Sequence, residues 1–357
     1  MAFVRFAARD PGGANVIASL LAALEPDRRF AFDVWTMPRA TPVFARFGSP
    51  AVEFAEDAAP AALAARWADP RPDVLVTGTS HYGGFEAPLW DLARAGGIPA
   101  LAVIDSWVNL ESRFRDGRPD RVGYIDAAQA GALRALGFAD DHLIHTGHPW
   151  LSHVRASARP RPAPQGDPFV VLFASEPIAS DVAAGVNAPF GYDERDAFAV
   201  LHAVAVSRAR AGRRLELRVR FHPYESPEAF LARVAALPTV AGLSVVVDPG
   251  SRPAHESLAA AHLVTGIGSM LLLEAFALER PVVSLQPGTI RGNVFVAGER
   301  GLTPTVVDPT QAEVLLGPLL DDAATRADLV LRQRAFLDAV SADLRGELRP
   351  WIDARLV

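Results

Sequence analysis

The residues best suited to bind a phosphate lie in a short turn of the C-terminal half. A predicted strand ends at Thr265, and Gly268 and Ser269 then precede a predicted helix over 270–278. Free N–H groups at the start of a helix attract anions, and glycine lets the backbone approach a phosphate closely. Glu274 stands in the second helical turn, where a carboxylate can accept hydrogen bonds from a ribose diol. We predict that this turn binds the phosphate of a donor. Alternatively, its small residues only allow the helix to pack closely on its strand.

A histidine follows another predicted strand of the same half. Charged and apolar side chains alternate over 214–221, and His222 and Pro223 end this pattern. A histidine at the carboxyl end of a strand can donate a hydrogen bond to a phosphate or hold a proton for a departing diphosphate. We therefore predict that His222 binds the donor, with a capping or core histidine as the alternative.

The first strand of the chain also ends in a turn that can do chemistry. Asp10 and Pro11 are followed by Gly12 and Gly13, and a predicted helix begins at Asn15. The two glycines would admit a sugar or a diphosphate against the backbone, and Asp10 can bond a hydroxyl group. An ordinary turn with a good helix cap explains the same residues equally well.

Two further segments follow predicted strands of the first half and carry polar and aromatic side chains. Glu86 lies in one segment, and Asp105 and Trp107 lie in the other. Tryptophan can stack on the apolar face of a sugar, and a carboxylate beside an acceptor hydroxyl can act as the general base of an inverting transfer. We therefore predict catalytic roles for Asp10, Glu86 and Asp105, with solvated loops as the alternative.

The elements that must position these residues alternate between strand and helix along the whole chain. The predicted strands are 3–8, 31–36, 74–77, 101–104, 124–125, 143–145, 169–173, 214–221, 243–247, 262–265, 281–285 and 305–307. Strands separated by helices pair in parallel through crossover connections, so the fold class is α/β with doubly wound, Rossmann-like domains.

The chain is long enough for two such domains. We expect an acceptor-side domain over 1–151, a proline-rich linker over 152–168 and a nucleotide-binding domain over 169–323. The remaining residues, 324–357, are predicted to form helices that can cross back to the first domain. The two domains would then face each other across a cleft.

These motifs resemble the C-terminal half of GT-B glycosyltransferases. The resemblance covers the His222-Pro223 pair, the turn at Gly268 and Ser269, the helix carrying Glu274 and the Arg-Pro-Val-Val that follows it. It is closest to sialyltransferase-like and CDP-glycerol glycerophosphotransferase-like enzymes, and weaker to non-hydrolysing UDP-GlcNAc 2-epimerases. The resemblance implies that His222 and the turn contact the donor phosphate and that Glu274 takes the ribose.

The first turn departs from the epimerase pattern. Those enzymes have Gly-Thr-Arg-Pro-Glu after the first strand, where this chain has Arg-Asp-Pro-Gly-Gly-Ala at positions 9–14. The acidic catalytic set of their first domain is not recognisable either. The departure favours a transferase over an epimerase.

Composition excludes several classes of protein. The net charge of −6 argues against a nucleic-acid partner, and the lack of cysteine excludes disulfides and thiol chemistry and suits a cytoplasmic location. No apolar run is long enough to span a bilayer, although the arginine-rich stretch 208–220 leaves a peripheral membrane contact open. No metal-ligand motif occurs, so we predict neither a metal nor a cofactor.

The sequence therefore predicts a metal-independent transferase that uses a nucleotide-sugar or CDP-activated donor and a sugar or glycan acceptor. Its expected role lies in the biosynthesis of a cell-surface glycan or glycoconjugate. A UDP-sugar 2-epimerase and a non-catalytic nucleotide-sugar-binding assembly subunit are the alternatives.

Overall fold

The fold is taken from a computed structural model, which describes residues 2–24, 29–58, 60–80, 84–158, 164–341 and 350–355. The chain divides into two compact units. Unit 1 comprises Met1–His153 and Ala339–Val357, and unit 2 comprises Val154–Asp338.

Unit 1 is built on a parallel sheet of seven strands. The strands are β1 (Phe3–Ala8), β2 (Ala31–Thr36), β3 (Val52–Glu53), β4 (Val74–Thr77), β5 (Ala100–Val103), β6 (Arg121–Tyr124) and β7 (Leu143–His145). The helices are α1 (Pro11–Leu24), α2 (Thr41–Arg46), α3 (Pro60–Trp67), α4 (Glu86–Ala95), α5 (Leu110–Arg113), α6 (Ala127–Ala135) and α7 (Pro149–Ser157), the last of which contains the boundary to unit 2.

Both faces of this sheet are buried. Phe6 of β1 belongs to one apolar cluster and its neighbour Ala7 to another, because successive side chains of a strand point to opposite faces. The strand order is β3-β2-β1-β4-β5-β6-β7, so the order reverses between β1 and β4. Ligands of doubly wound sheets bind outside the carboxyl ends of the strands at such a reversal.

Unit 2 repeats this plan with six parallel strands in the order β10-β9-β8-β11-β12-β13. The strands are β8 (Phe169–Ala174), β9 (Leu215–Arg220), β10 (Leu243–Val247), β11 (Leu263–Gly266), β12 (Val282–Leu285) and β13 (Thr305–Val306). The helices are α8 (Ile178–Ala183), α9 (Glu194–Arg210), α10 (Glu228–Ala235), α11 (Ala254–Ala259), α12 (Met270–Ala277), α13 (Val296–Glu299), α14 (Ala312–Asp321) and α15 (Ala323–Val340). The order reverses between β8 and β11.

The first part of the predicted linker lies in a helix. Residues 152–157 continue α7, because Leu151 is fully buried and anchors this helix in unit 1. Residues 159–163 of the predicted linker lie outside the described part of the chain. At the C-terminus, Trp351 and Ile352 pack into an apolar cluster of unit 1, whereas residues 342–349 and 356–357 of the predicted terminal helices are not described.

The arginine-rich stretch 208–220 forms ion pairs within unit 2. Arg208 contacts Glu313 at 2.7 Å, and Arg220 contacts the fully buried Asp248 at 2.6 Å. Among the described residues, no helix is both long and apolar enough to cross a membrane.

The contact that brings the β1 and β4 turns together is a close approach of two glycines. A Cβ atom added to Gly78 would lie 2.9 Å from the Cα atom of Gly13, which belongs to the first turn of α1. We expect Gly78→Ala to lower the free energy of unfolding by about 1–3 kcal/mol, because the clash is with backbone that cannot rotate away. Urea unfolding measures this change.

Gly131→Ala is the matched control. Gly131 lies in α6, and no heavy atom lies within 4 Å of a Cβ added there. This substitution should raise stability by about 0.5–1 kcal/mol, since alanine replaces glycine inside a helix. Equal stability of the two variants would contradict the packing account.

Candidate functional site

Three carboxyl groups of unit 1 follow strands at the carboxyl edge of its sheet. Asp10 follows β1, Glu86 is the first residue of α4 after β4, and Asp105 follows β5. Parallel strands deliver their carboxyl ends to one edge, so the topology gathers all three side chains there. The structure thus places the predicted catalytic set together.

Glu86 is the most deeply buried of the three, with 3% of its surface exposed. Its carboxylate accepts hydrogen bonds from the backbone N–H of Arg9 at 3.1 Å and from the hydroxyl of Ser80 at 2.7 Å. Burial raises the pKa of Glu86 to about 7, and the nearby charge of Asp10 raises it further, against the hydrogen bond from Ser80. Glu86 can therefore bind and release a proton near neutral pH.

Asp10 is half-buried and keeps contact with solvent. Burial is the main cause that raises its pKa, and the charge of Asp105 acts in the same direction, whereas Arg9 lowers it. Asp10 and Glu86 therefore both hold protons more strongly than free carboxyl groups do, and the charge of Asp10 contributes to the shift of Glu86.

Asp105 is fixed in place by an arginine that the sequence reasoning missed. The guanidinium of Arg113 donates to Asp105 at 2.5 Å and to the carbonyl and hydroxyl oxygens of Thr79 at 2.8 Å each. A Cβ atom on Gly12 would lie 2.2 Å from the other carboxylate oxygen of Asp105. Gly12 is therefore required so that Asp105 can approach the start of α1.

Gly13 likewise faces protein, because a Cβ atom there would lie 3.5 Å from the Cα atom of Gly78. The structure gives Gly12 and Gly13 packing roles, and their predicted contacts with a ligand stay predictions.

A second residue missed by the sequence reasoning lies beneath Asp105. The Nε2 atom of His148 lies 3.0 Å from the carbonyl oxygen of Asp105, and its ring packs on that of Trp107 with centroids 5.5 Å apart. Burial lowers the pKa of His148 to about 4, so the imidazole is neutral and Nε2 carries the proton that it donates to the carbonyl. His148 therefore holds the Asp105 backbone in position.

In unit 2, the turn between β11 and α12 binds an anion supplied by the chain itself. One carboxylate oxygen of Glu176 accepts hydrogen bonds from the backbone N–H of Gly268 at 2.7 Å and of Ser269 at 2.9 Å. The Ser269 hydroxyl caps the helix by accepting from Leu271 at 3.2 Å. Glu176 follows β8, so this contact joins the two turns at the strand reversal.

Burial makes the charged form of Glu176 unfavourable at this position. Burial raises its pKa, and the charge of Glu225 acts in the same direction, while the hydrogen bonds from the turn, including those from Gly268 and Ser269, lower it. The two N–H groups thus stabilise a carboxylate that burial disfavours.

Tyr192 and Arg291 stand near this carboxylate, and the sequence reasoning missed both. Tyr192 is 7% exposed, and its hydroxyl oxygen makes no hydrogen bond with any part of the chain that the structure describes. Burial raises the pKa of Tyr192, the charge of Glu176 raises it further, and the charge of Arg291 lowers it, so the hydroxyl lies near both charges. The Arg291 guanidinium stacks 4.5 Å from the ring centroid of Phe190. Tyr192 lies between α8 and α9 and follows no strand, so its position in the sequence gave no signal of a site.

The remaining predicted donor residues have the following contacts. The Thr265 hydroxyl is buried and donates to the carbonyl of Leu172 within the sheet at 3.2 Å. His222 follows β9, and its Nδ1 atom accepts from the N–H of Tyr224 at 3.3 Å; burial lowers its pKa. Glu274 is half-buried on α12.

The sheet order brings His222 and the Gly268 turn to strand ends on either side of the end of β8. Strands β9 and β11 pair with the two sides of β8, which Glu176 follows. No group of three or more candidate metal ligands occurs within the described ranges.

The chain resembles solved structures over nearly its whole length. It is similar to the UDP-GlcNAc 2-epimerase from Neisseria meningitidis bound to UDP-GlcNAc, at 12% identity over 94% of this chain and 99% of that chain, with a TM-score of 0.65. The glycotransferase of kitacinnamycin matches at 14% identity over 100% and 99%, with a TM-score of 0.61. MurG from Acinetobacter baumannii matches at 13% identity over 95% and 99%, with a TM-score of 0.55.

No protein-family model matches the sequence, and comparison with curated proteins finds no significant match. The structural likeness, at these identities, establishes the fold. The prediction of an α/β chain with two doubly wound, Rossmann-like domains is confirmed, and the chain has the GT-B fold.

The raised pKa of Glu86 predicts a pH-dependent contribution to stability. The folded protein binds this proton with a pKa of about 7 and the unfolded chain with 4.5, so the contribution is complete below 4.5 and is lost as the pH rises through about 7. Glu86→Gln should remove this decline, which amounts to about 3 kcal/mol at most. Urea unfolding between pH 5 and 8 measures it.

Glu111→Gln, at an exposed position of α5, is the control and should keep the pH dependence of the unmodified protein. An unchanged slope in Glu86→Gln would show that Glu86 binds no proton near pH 7.

Proposed function

We propose that this chain is a glycosyltransferase that uses a nucleotide sugar as donor. The observation that carries the proposal is the pair of Gly268 and Ser269 N–H groups, which already holds a carboxylate at the strand reversal of unit 2. A diphosphate offers the same kind of acceptor with more charge, and helix N-termini are common phosphate sites. The solved structures with this fold include a glycotransferase and MurG, which supports the proposal.

Unit 2 then binds the donor. The N–H groups of Gly268 and Ser269 would take a phosphate oxygen, and Glu274 would accept hydrogen bonds from the ribose. His222 would donate to the diphosphate and stabilise the charge that it gains on departure. Ligand screening would identify the nucleotide base, the sugar and the precise class of transferase, including the sialyltransferase-like or CDP-glycerol type.

Unit 1 supplies the base. In an inverting transfer, the acceptor oxygen bonds to the anomeric carbon while the bond to the diphosphate oxygen breaks and the nucleoside diphosphate leaves with the electron pair. Asp10 is half-buried and would take the proton of the acceptor hydroxyl. The charge of Asp10 would raise the proton affinity of Glu86, and Asp105 would bond acceptor hydroxyls from its fixed position.

A second candidate is a UDP-sugar 2-epimerase. The observation in its favour is that two carboxyl groups, Asp10 and Glu86, both have raised pKa values. Epimerisation needs an acid and a base around one sugar, and such a pair could supply both. A UDP-GlcNAc 2-epimerase bound to UDP-GlcNAc shares the fold.

Incubation with nucleotide sugars separates the two candidates. With UDP-, CDP-, GDP- or dTDP-sugars and a panel of glycan acceptors, we expect release of the nucleoside diphosphate only when an acceptor is present. Nuclear magnetic resonance of the sugar follows both reactions. Conversion to the 2-epimer without any acceptor would contradict the transferase.

Substitution of the carboxyl groups tests the role of unit 1. Asp10→Asn should reduce kcat by about 10²–10⁴-fold, the usual contribution of a general base, while donor affinity stays unchanged. Glu111→Gln is the control and should keep full activity. Unchanged turnover in Asp10→Asn would remove Asp10 from the mechanism, and donor binding with no turnover of any sugar would favour the non-catalytic assembly subunit.

A further inference from the structure

The phosphate-binding turn of unit 2 is filled by a side chain of the same protein. Glu176 uses one carboxylate oxygen to accept from both Gly268 and Ser269, at 2.7 and 2.9 Å. A phosphate oxygen bound to these N–H groups would need the space that the Glu176 oxygen occupies. The carboxylate and an anionic ligand therefore exclude each other.

The chain around Glu176 permits an exchange. Glu176 lies between the end of β8 at Ala174 and the start of α8 at Ile178, outside both elements. Its contacts with the turn are made by the side chain, so rotation about the side-chain bonds frees the two N–H groups without a change in the sheet.

Two further groups near Glu176 suit an incoming anion. Tyr192 has a buried hydroxyl with no hydrogen-bond partner among the described residues, and a buried donor without an acceptor is unfavourable until a ligand supplies one. Arg291 is exposed and its charge acts on the Tyr192 hydroxyl, as does that of Glu176. A phosphate would satisfy this hydroxyl and pair with the guanidinium.

We propose that Glu176 is an internal competitor for the donor site, and that the diphosphate of the donor displaces its carboxylate from Gly268 and Ser269 and gains Tyr192 and Arg291 as partners. This inference rests on the proposed function of unit 2. Glu176 would then lower the affinity for every anionic ligand. A ligand binds only if it interacts with the two N–H groups more favourably than the carboxylate that it replaces. Neutral sugars do not compete for these N–H groups.

Binding of UDP and of inorganic pyrophosphate to the full chain tests the proposal by titration calorimetry. Removing the competitor raises the fraction of protein with a free site, so Glu176→Ala should bind both probes at least about tenfold more tightly than the unmodified protein. Glu176→Gln keeps the size of the side chain and loses its charge, so its affinity should lie between the two. It also serves if the alanine variant fails to fold.

The matched control is Glu216→Gln, which removes a carboxylate of unit 2 that pairs with Arg218 on the same strand. Its affinity for both probes should equal that of the unmodified protein. Tyr192→Phe in the Glu176→Ala background should weaken binding again, because the ligand loses the hydroxyl.

The outcomes separate this inference from the proposed function. Equal or weaker binding by Glu176→Ala, with UDP still bound by the unmodified protein, overturns the competition and leaves the nucleotide site standing. Binding of neither probe by any variant overturns both. Tighter binding in Glu176→Ala together with an unchanged Glu216→Gln supports both.

Discussion

In each unit the first strand lies inside a parallel sheet, and the order of the strands reverses between it and its neighbour. The turns that follow these two strands meet at one edge, where backbone N–H groups outside the sheet need an acceptor. In both units a glutamate provides it. Glu86 follows β4 and accepts from Arg9 after β1, whereas Glu176 follows β8 and accepts from the turn after β11. The same constraint thus produces both candidate sites.

The two glutamates differ in what surrounds them. Glu86 also accepts from Ser80, and the charge of the half-buried Asp10 raises its proton affinity. Glu176 instead occupies a pair of N–H groups suited to a phosphate, with a donor at Tyr192 left over. Burial raises the pKa of both side chains. We propose that the first arrangement holds a proton for catalysis and that the second is displaced by a ligand.

Much of this fold follows from the sequence, because continuous apolar runs between turn residues mark buried parallel strands. Strands β1, β2, β4, β7 and β10 have the predicted bounds. Short elements such as β3 and α5 lack a periodic pattern and were not predicted. The reversal gathers the turn residues that were predicted as site residues, but their partners depend on side-chain packing across distant strands. Arg113, His148 and Tyr192 were missed for that reason, and Gly12 was assigned to a ligand where it accommodates Asp105.

We propose that the turn after β11 binds the diphosphate of a nucleotide in exchange for Glu176. A crystal structure of the protein with UDP would test this exchange most directly. We expect a phosphate oxygen within hydrogen-bond distance of the Gly268 and Ser269 nitrogens, with the Glu176 carboxylate rotated away. UDP bound elsewhere on the chain, with Glu176 still accepting from both N–H groups, would contradict it.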